Sequence, residues 1–235
     1  GSSQGIGAEI VSQFASEGAK VIINYKSNKE KATNLHSSID SNDNSLLVKA
    51  DISNFDEVDS MFKKISNHFG GINILVNNAA IYKDSTIWNM DEETWKDIID
   101  TDLNGAFNCT KFASKIMRES NFGRIINISS VVGQASSFGT SNYAAAKAGL
   151  LGFTRGVATD LARNNITVNA LSLGFIETGM LLRLPEKVQK IILAKIPVGR
   201  WGKLDEVVEA VFFLASEKNG YITGQTINLN GGYLM

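Results

Sequence analysis

The 235-residue chain has 23 basic and 24 acidic side chains, a net charge of −1 and a pI near 6.2, so it lacks the basic footprint of a nucleic-acid or anionic-membrane binder. Its 43% hydrophobic content suffices for one substantial core, and no apolar run approaches the ~18 residues that span a bilayer. A lone cysteine, Cys109, excludes an intrachain disulfide and reads as a small core residue in a reducing cytoplasm, and the N-terminus carries no basic and apolar signal region.

In chain order, the first feature is Gly1-Ser2-Ser3-Gln4-Gly5-Ile6-Gly7, which leads into a helical pattern over 5–18. Such a loop lets backbone N–H groups approach a phosphate, and the helix N-terminus adds partial positive charge. Strand-like runs follow at 21–25, 45–50, 72–76, 124–128, 167–173 and 226–229, β-branched and near-continuous as in a parallel sheet covered on both faces. Between them lie helical stretches over 29–40, 55–69, 91–118, 142–164 and 204–217, with acids in the first turns at Asp91-Glu92-Glu93 and Asp205-Glu206. His36 and His68 fall in polar helical stretches and read as surface residues; a metal site needs more ligands. Pro185 and Pro197 bracket a short Leu/Ile/Lys-rich piece, so the segment 180–200 reads as a mobile cap within a single domain spanning 1–235. The alternation predicts an α/β fold: one doubly wound Rossmann domain with a mostly parallel sheet and ligands at the carboxyl ends of its strands.

Chemistry is concentrated in the second half. Tyr143 and Lys147 stand four apart, which stacks them on one helix face, thirteen residues after the serine pair Ser129-Ser130. An ammonium beside a phenol favours phenolate and lowers a tyrosine pKa from about 10. Tyr143 then serves as a general acid/base near neutral pH, with a serine hydroxyl to hold the reacting oxygen. Asn77-Asn78-Ala79-Ala80 closes one apolar run and Gly174-Phe175-Ile176-Glu177-Thr178 follows another, both suited to close approach of a ligand.

Together these motifs resemble the short-chain dehydrogenase/reductase family over essentially the whole chain. The glycine loop entered at Gly1, the Asn-Asn-Ala stretch, the serine before Val131-Val132-Gly133 and the Tyr-x-x-x-Lys pair occur in family order. Within the family the wording is nearest to reductases of 3-oxoacyl thioesters, as in Asn142 to Leu150, Ile196-Pro197-Val198-Gly199-Arg200 and Leu229-Asn230-Gly231-Gly232. The resemblance implies that Tyr143 protonates the substrate carbonyl oxygen, Ser130 hydrogen-bonds it, and Lys147 holds ribose hydroxyls while lowering the Tyr143 pKa. It implies a nicotinamide cofactor held by Gly1, Ser3, Gln4, Gly5, Ile6 and Gly7 at the pyrophosphate. Asp51 and Ile52 would flank the adenine, Asn78, Ala79 and Ala80 the ribose side, and Gly174, Ile176 and Thr178 the carboxamide. The second family strand ends Asn24-Tyr25-Lys26-Ser27 with no carboxylate, so NADPH is the expected cofactor, Asn24, Lys26 and Ser27 lying at its 2′-phosphate.

Three departures stand out. Ala80 replaces a glycine, which adds a methyl group near the cofactor. Leu173 replaces a proline, which should loosen the next turn. Asp102 stands where the family carries a catalytic asparagine, with Asn104 too far around the helix to substitute. The chain also enters the loop without an initiator Met or the preceding strand, so the native protein is expected to continue upstream with a short apolar strand, ending in Thr, that completes the sheet. The implied activity is NADPH-dependent reduction of a 3-oxoacyl thioester, on coenzyme A or an acyl carrier protein, by a cytoplasmic homotetramer. A polyol, sugar or other secondary-alcohol dehydrogenase, or a non-catalytic cofactor-binding protein, are the alternatives.

Overall fold

The structure, a computed structural model, describes residues 1–39, 44–178, 181 and 185–235. Among these residues every strand pairing is parallel. β1 (Val21–Tyr25) pairs with β2 (Ser45–Lys49), while β3 (Ile74–Asn77), β4 (Gly123–Ser130), β5 (Ile166–Leu173) and β6 (Thr226–Leu229) form a second sheet in that order. The mostly parallel α/β arrangement expected from the sequence is present, and among the described residues the strands form two groups, because β1 and β3 do not pair with each other. A cavity of about 760 Å³ lies between them, lined by Val21, Ile22, Ile74 and Val76 together with Gly1 and Asn78.

Helices cover both faces. On one side α3 (Phe55–Phe69), α5 (Gly105–Ser120) and α6 (Ser141–Leu161) bury Phe62, Phe112, Met117 and Ala158 against Ile125 and Val168. On the other, α1 (Gly5–Ser16) and α8 (Leu204–Ala215) bury Ile10, Val207 and Val211 against Ile126 and Leu171, with Phe14 stacked on Phe212 at 4.1 Å. Apolar cover on both faces explains why all eight residues of β5 are buried. α2 (Lys29–Ile39) packs beside β1 and β2, and residue 40 of its expected span lies outside the described residues.

Three departures from the sequence pattern matter for the site. β4 extends past its apolar run through Ser129 and Ser130, since those residues keep their register with Ser172 and Leu173 of β5. The expected helix over 91–118 is split into α4 (Glu92–Ile99), a π-helical turn at Asp100–Asn104, and α5. Gly105, just after that turn, permits the close approach of Ile52, whose side chain a Cβ would meet at 2.6 Å. Of the segment 180–200, α7 (Glu186–Leu193) is helical, and residues 180 and 182–184 lie outside the described residues. No helix among the described residues is long and apolar enough to cross a membrane.

Candidate active site

The end of β4 and the first turns of α6 build the reactive cluster. Strand alternation sends the two serines opposite ways. Ser129 is buried and donates to the Lys147 carbonyl at 3.1 Å, whereas Ser130 accepts the Val132 N–H at 3.2 Å, caps the short 3₁₀ turn Val131–Gly133 and has a hydroxyl that favours ionisation of the Tyr143 phenol. The turn can lie this close to α6 because Gly133 has no Cβ; one would sit 2.7 Å from the Lys147 backbone. Asn142 anchors the start of α6, accepting the Tyr143 N–H at 2.8 Å and donating to the Lys83 carbonyl at 3.1 Å. One helical turn on, the Lys147 ammonium lies 5.5 Å from the Tyr143 ring centre.

Lys147 is buried and donates to the Ile128 carbonyl at 3.1 Å. Its second neighbour is Asp102, whose Oδ2 faces the ammonium at 3.3 Å, a contact of charge rather than an aligned hydrogen bond. The other oxygen, Oδ1, accepts the Ile81 N–H at 2.9 Å. Burial pushes the Asp102 carboxyl up and the Lys147 ammonium down, and the attraction between the two opposes both shifts. Asn104 is exposed and bonds Asp100 at 2.7 Å, pointing away from this pair.

The expectation that Lys147 lowers the Tyr143 acid is not met. Burial, and next the Asp102 carboxylate, push the phenol above its ordinary value of 10; the Ser130 hydroxyl works the other way without reversing the outcome. Tyr82, missed in the sequence, stands edge-on against Tyr143 with ring centres 5.1 Å apart, and burial together with Asp84 pushes its own phenol up to about 12. It sits in an irregular stretch with no periodicity to betray it. Asn142 was more accessible to reasoning, as an amide in the opening turn of the helix that carries Tyr143.

The glycine loop meets these elements at the carboxyl ends of the strands. Gly5 has φ +56°, and a Cβ at Gly7 would lie 2.1 Å from the Gly1 carbonyl oxygen, so both positions need bare backbone. Asn78 donates to that same carbonyl at 3.0 Å, and the Ser2 N–H bonds the Asn24 carbonyl at 3.1 Å. The Asn24 amide is engaged by the Ala50 carbonyl at 3.0 Å. Lys31 holds Gln4 at 3.1 Å, beside a partly exposed Ser3 and Ile6. Lys26 and Asp51, expected separately at the adenosine end, form an ion pair at 2.6 Å, with Ser27 exposed beside them. Although burial works against it, Lys26 and Ser53 hold the Asp51 carboxyl below its usual range. Ile52 and Ala79 are partly buried and Ala80 is exposed.

At the end of β5 a Cβ on Gly174 would lie 2.7 Å from Asn230, and the Gly174 N–H donates to the Leu229 carbonyl at 2.9 Å. Leu173 is buried in the strand, so the turn expected to be loosened is tied to β6 instead. The Ile176 side chain faces the core, its backbone bridges to Gly202, and Thr178 is partly exposed. His36 is also not a plain surface residue, since its Nδ1 lies 2.6 Å from the Ser45 hydroxyl.

Bare glycine backbone at the N-terminus of α1, facing a Ser/Tyr/Lys cluster across the ends of a parallel sheet, fits a dinucleotide above a carbonyl-reducing group. The chain belongs to the short-chain dehydrogenase/reductase family, a class of nicotinamide-dependent oxidoreductases. Residues 1–234 match the family model described as enoyl-(acyl carrier protein) reductase. Among curated relatives, the chain is 43% identical to a 3-oxoacyl-[acyl-carrier-protein] reductase of Staphylococcus aureus (strain Mu50), covering 100% of this chain and 96% of that protein. It is 42% identical to the 3-oxoacyl-[acyl-carrier-protein] reductase of Synechocystis sp. and 41% identical to that of Escherichia coli (strain K12), covering 95% of each.

Proposed function

We propose that this protein reduces 3-oxoacyl thioesters, carried on acyl carrier protein, to 3-hydroxyacyl thioesters, with NADPH as reductant. The observation that carries the reading is the cluster of Ser130, Tyr143 and buried Lys147 at the end of β4, in a chain whose relatives across three bacterial genera bear that one activity in their names. When bound, the nicotinamide supplies a hydride to the carbonyl carbon. Ser130 positions the carbonyl oxygen, and Tyr143 delivers the proton that oxygen needs as negative charge develops on it. A phenol held above its ordinary pKa remains protonated at neutral pH, which suits an acid. Lys147, one helical turn from Tyr143, would hold the ribose hydroxyls of the cofactor.

Gly1, Gly5 and Gly7 offer the backbone N–H groups and the space a pyrophosphate requires. Support for NADPH comes from Lys26, exposed at the end of β1 with no acid at its own strand end to repel a 2′-phosphate. The absence of a basic surplus leaves the carrier itself a matter of pantetheine recognition rather than of bulk charge. We place the enzyme in the cytoplasm, as a homotetramer whose contacts use the outer faces of α5 and α6, where Phe107 is 45% exposed beside Phe153. The cap function of 180–200, within one catalytic domain, belongs to the same reading.

The test is consumption of NADPH with acetoacetyl-CoA and with acetoacetyl carrier protein, beside a panel of sugars and secondary alcohols. Turnover on the thioesters, with the carrier form favoured in kcat/KM, is expected. Turnover confined to sugars or simple alcohols would replace this reading, and none at all, despite tight NADPH binding, would make the chain a cofactor-binding protein.

A further inference from the structure

Asp102 raises a question that the proposed reaction does not answer. The π-helical turn Asp100–Asn104 carries three carboxyl or carboxamide side chains, and two of them, Asp100 and Asn104, bond each other at the surface. The third is turned inward until its side chain is 0% exposed. Single π-turns inside α-helices recur at functional sites, because they rotate one side chain out of the regular face. A buried carboxylate is costly unless it is paired. The Ile81 N–H needs only an acceptor oxygen, which a carboxamide would supply equally well. What the carboxylate adds is charge, and that charge lies 3.3 Å from Lys147.

With one proton shared between them, Lys147 and Asp102 carry no net charge, wherever that proton sits. An uncharged amide at position 102 would leave the ammonium's full positive charge beneath the Tyr143 ring, 5.5 Å from its centre. We propose that Asp102 is a positioning residue that acts through Lys147, cancelling the ammonium charge felt by Tyr143 and so holding the site in its proton-donating form over a wide pH range. The inference rests on the reductase reading given above.

The other groups around the phenol do not supply this control. From β4 comes the Ser130 hydroxyl; from the 78–89 loop comes Tyr82, with Asp84 beyond it, and α6 itself contributes only Lys147. The upward push on Tyr143, from burial first and Asp102 second, agrees with the geometry. During reduction the hydride's two electrons form the new C–H bond, the Tyr143 proton passes to the former carbonyl oxygen, and water returns a proton to the phenolate. A phenolate facing a neutral pair is readily reprotonated before the next turnover.

The experiment is a pair of pH–rate profiles on the purified enzyme: acetoacetyl-CoA with NADPH, and 3-hydroxybutyryl-CoA with NADP⁺. Reduction needs the protonated phenol and oxidation needs the phenolate, so both profiles report one ionisation. Asp102→Asn should move both inflections down by the same amount, about one to three pH units. Unmoved inflections, an upward movement, or a loss of kcat equal at all pH values would overturn the proposal. A readout independent of that variant is phenolate absorbance, titrated in wild type against Tyr143→Phe. Tyr143 should ionise above the ~10 of free tyrosine, and ionisation below that value would also overturn it. Failure of the reductase reading has a separate signature: no turnover of the thioester in either direction by the wild-type enzyme at any pH.

Discussion

At the end of β4, Ser130, Tyr143, Lys147 and Asp102 are held by one another and by buried backbone carbonyls, with two opposite charges enclosed side by side. Across the site, the cofactor loop and the tips of β1 and β2 work differently: bare glycine backbone, one amide from Asn78, and an ion pair between Lys26 and Asp51 at the surface. Water screens the second region and is excluded from the first. The same unit of charge therefore has a large effect on proton transfer at one end, and only a modest effect on cofactor choice at the other. Rate should reside in the buried cluster, and affinity in the shape of the exposed loop.

The sharpest way to break that contrast is Tyr143→Phe. Removing one hydroxyl from the cluster should lower kcat by about 10²- to 10⁴-fold while the NADPH dissociation constant, followed by fluorescence, stays within a few-fold. A variant that retains more than about a tenth of wild-type kcat would show that the proton comes from elsewhere.

Gly7→Ala probes the opposite region. Its Cβ would lie 2.1 Å from the Gly1 carbonyl oxygen and 2.7 Å from the Asn78 amide, so the loop must shift by backbone movement. Overpacking of this kind costs about 1–3 kcal/mol, and the loss should fall on NADPH affinity, by about tenfold or more. Titration of the variant decides it; affinity equal to wild type would mean that the loop does not cradle the pyrophosphate.

Lys26→Ala should act more gently, because the lysine is exposed and already shares its charge with Asp51. The ratio of kcat/KM for NADPH to that for NADH should fall by about tenfold or less, with kcat little changed. An unaltered ratio would remove Lys26 from cofactor selection.

The smallest effect is expected at Arg200 and Glu206, a two-pronged surface ion pair at 2.7 and 2.8 Å. The Arg200 pairing, followed by the Lys203 N–H, lowers the Glu206 carboxyl from an ordinary 4.5 to about 2. A depressed acid contributes stability that is present above its unfolded pKa and is lost as pH falls through the folded value. Glu206→Gln should therefore lower Tm slightly at neutral pH, with the difference from wild type fading between about 4.5 and about 2. A Tm difference that persists undiminished at the acid end would mean that packing, not charge, links these residues.

Local pattern alone placed six strands and the order of helices between them, since β-branched runs buried on both faces leave a signature that needs no knowledge of the partner strand. It also put Tyr143 and Lys147 on one face, because helical spacing is short-range geometry, whereas the choice of Ser130 over Ser129 came from the family's thirteen-residue gap to Tyr143. The glycine loop was legible for the same reason, bare backbone being written directly in the sequence. Interactions set by distant segments were not legible. The π-turn at Asp100–Asn104 breaks a stretch whose periodicity reads as one continuous helix, and the partner of Asp102 lies 45 residues on, in α6. Likewise Tyr82 meets Tyr143, and Lys26 meets Asp51, only when strands and loops far apart in the chain converge on one end of the sheet. The sequence therefore determined which groups are present and on which local face they stand. Tertiary structure decided their ionisation, because burial and through-space charge depend on neighbours that no local spacing specifies.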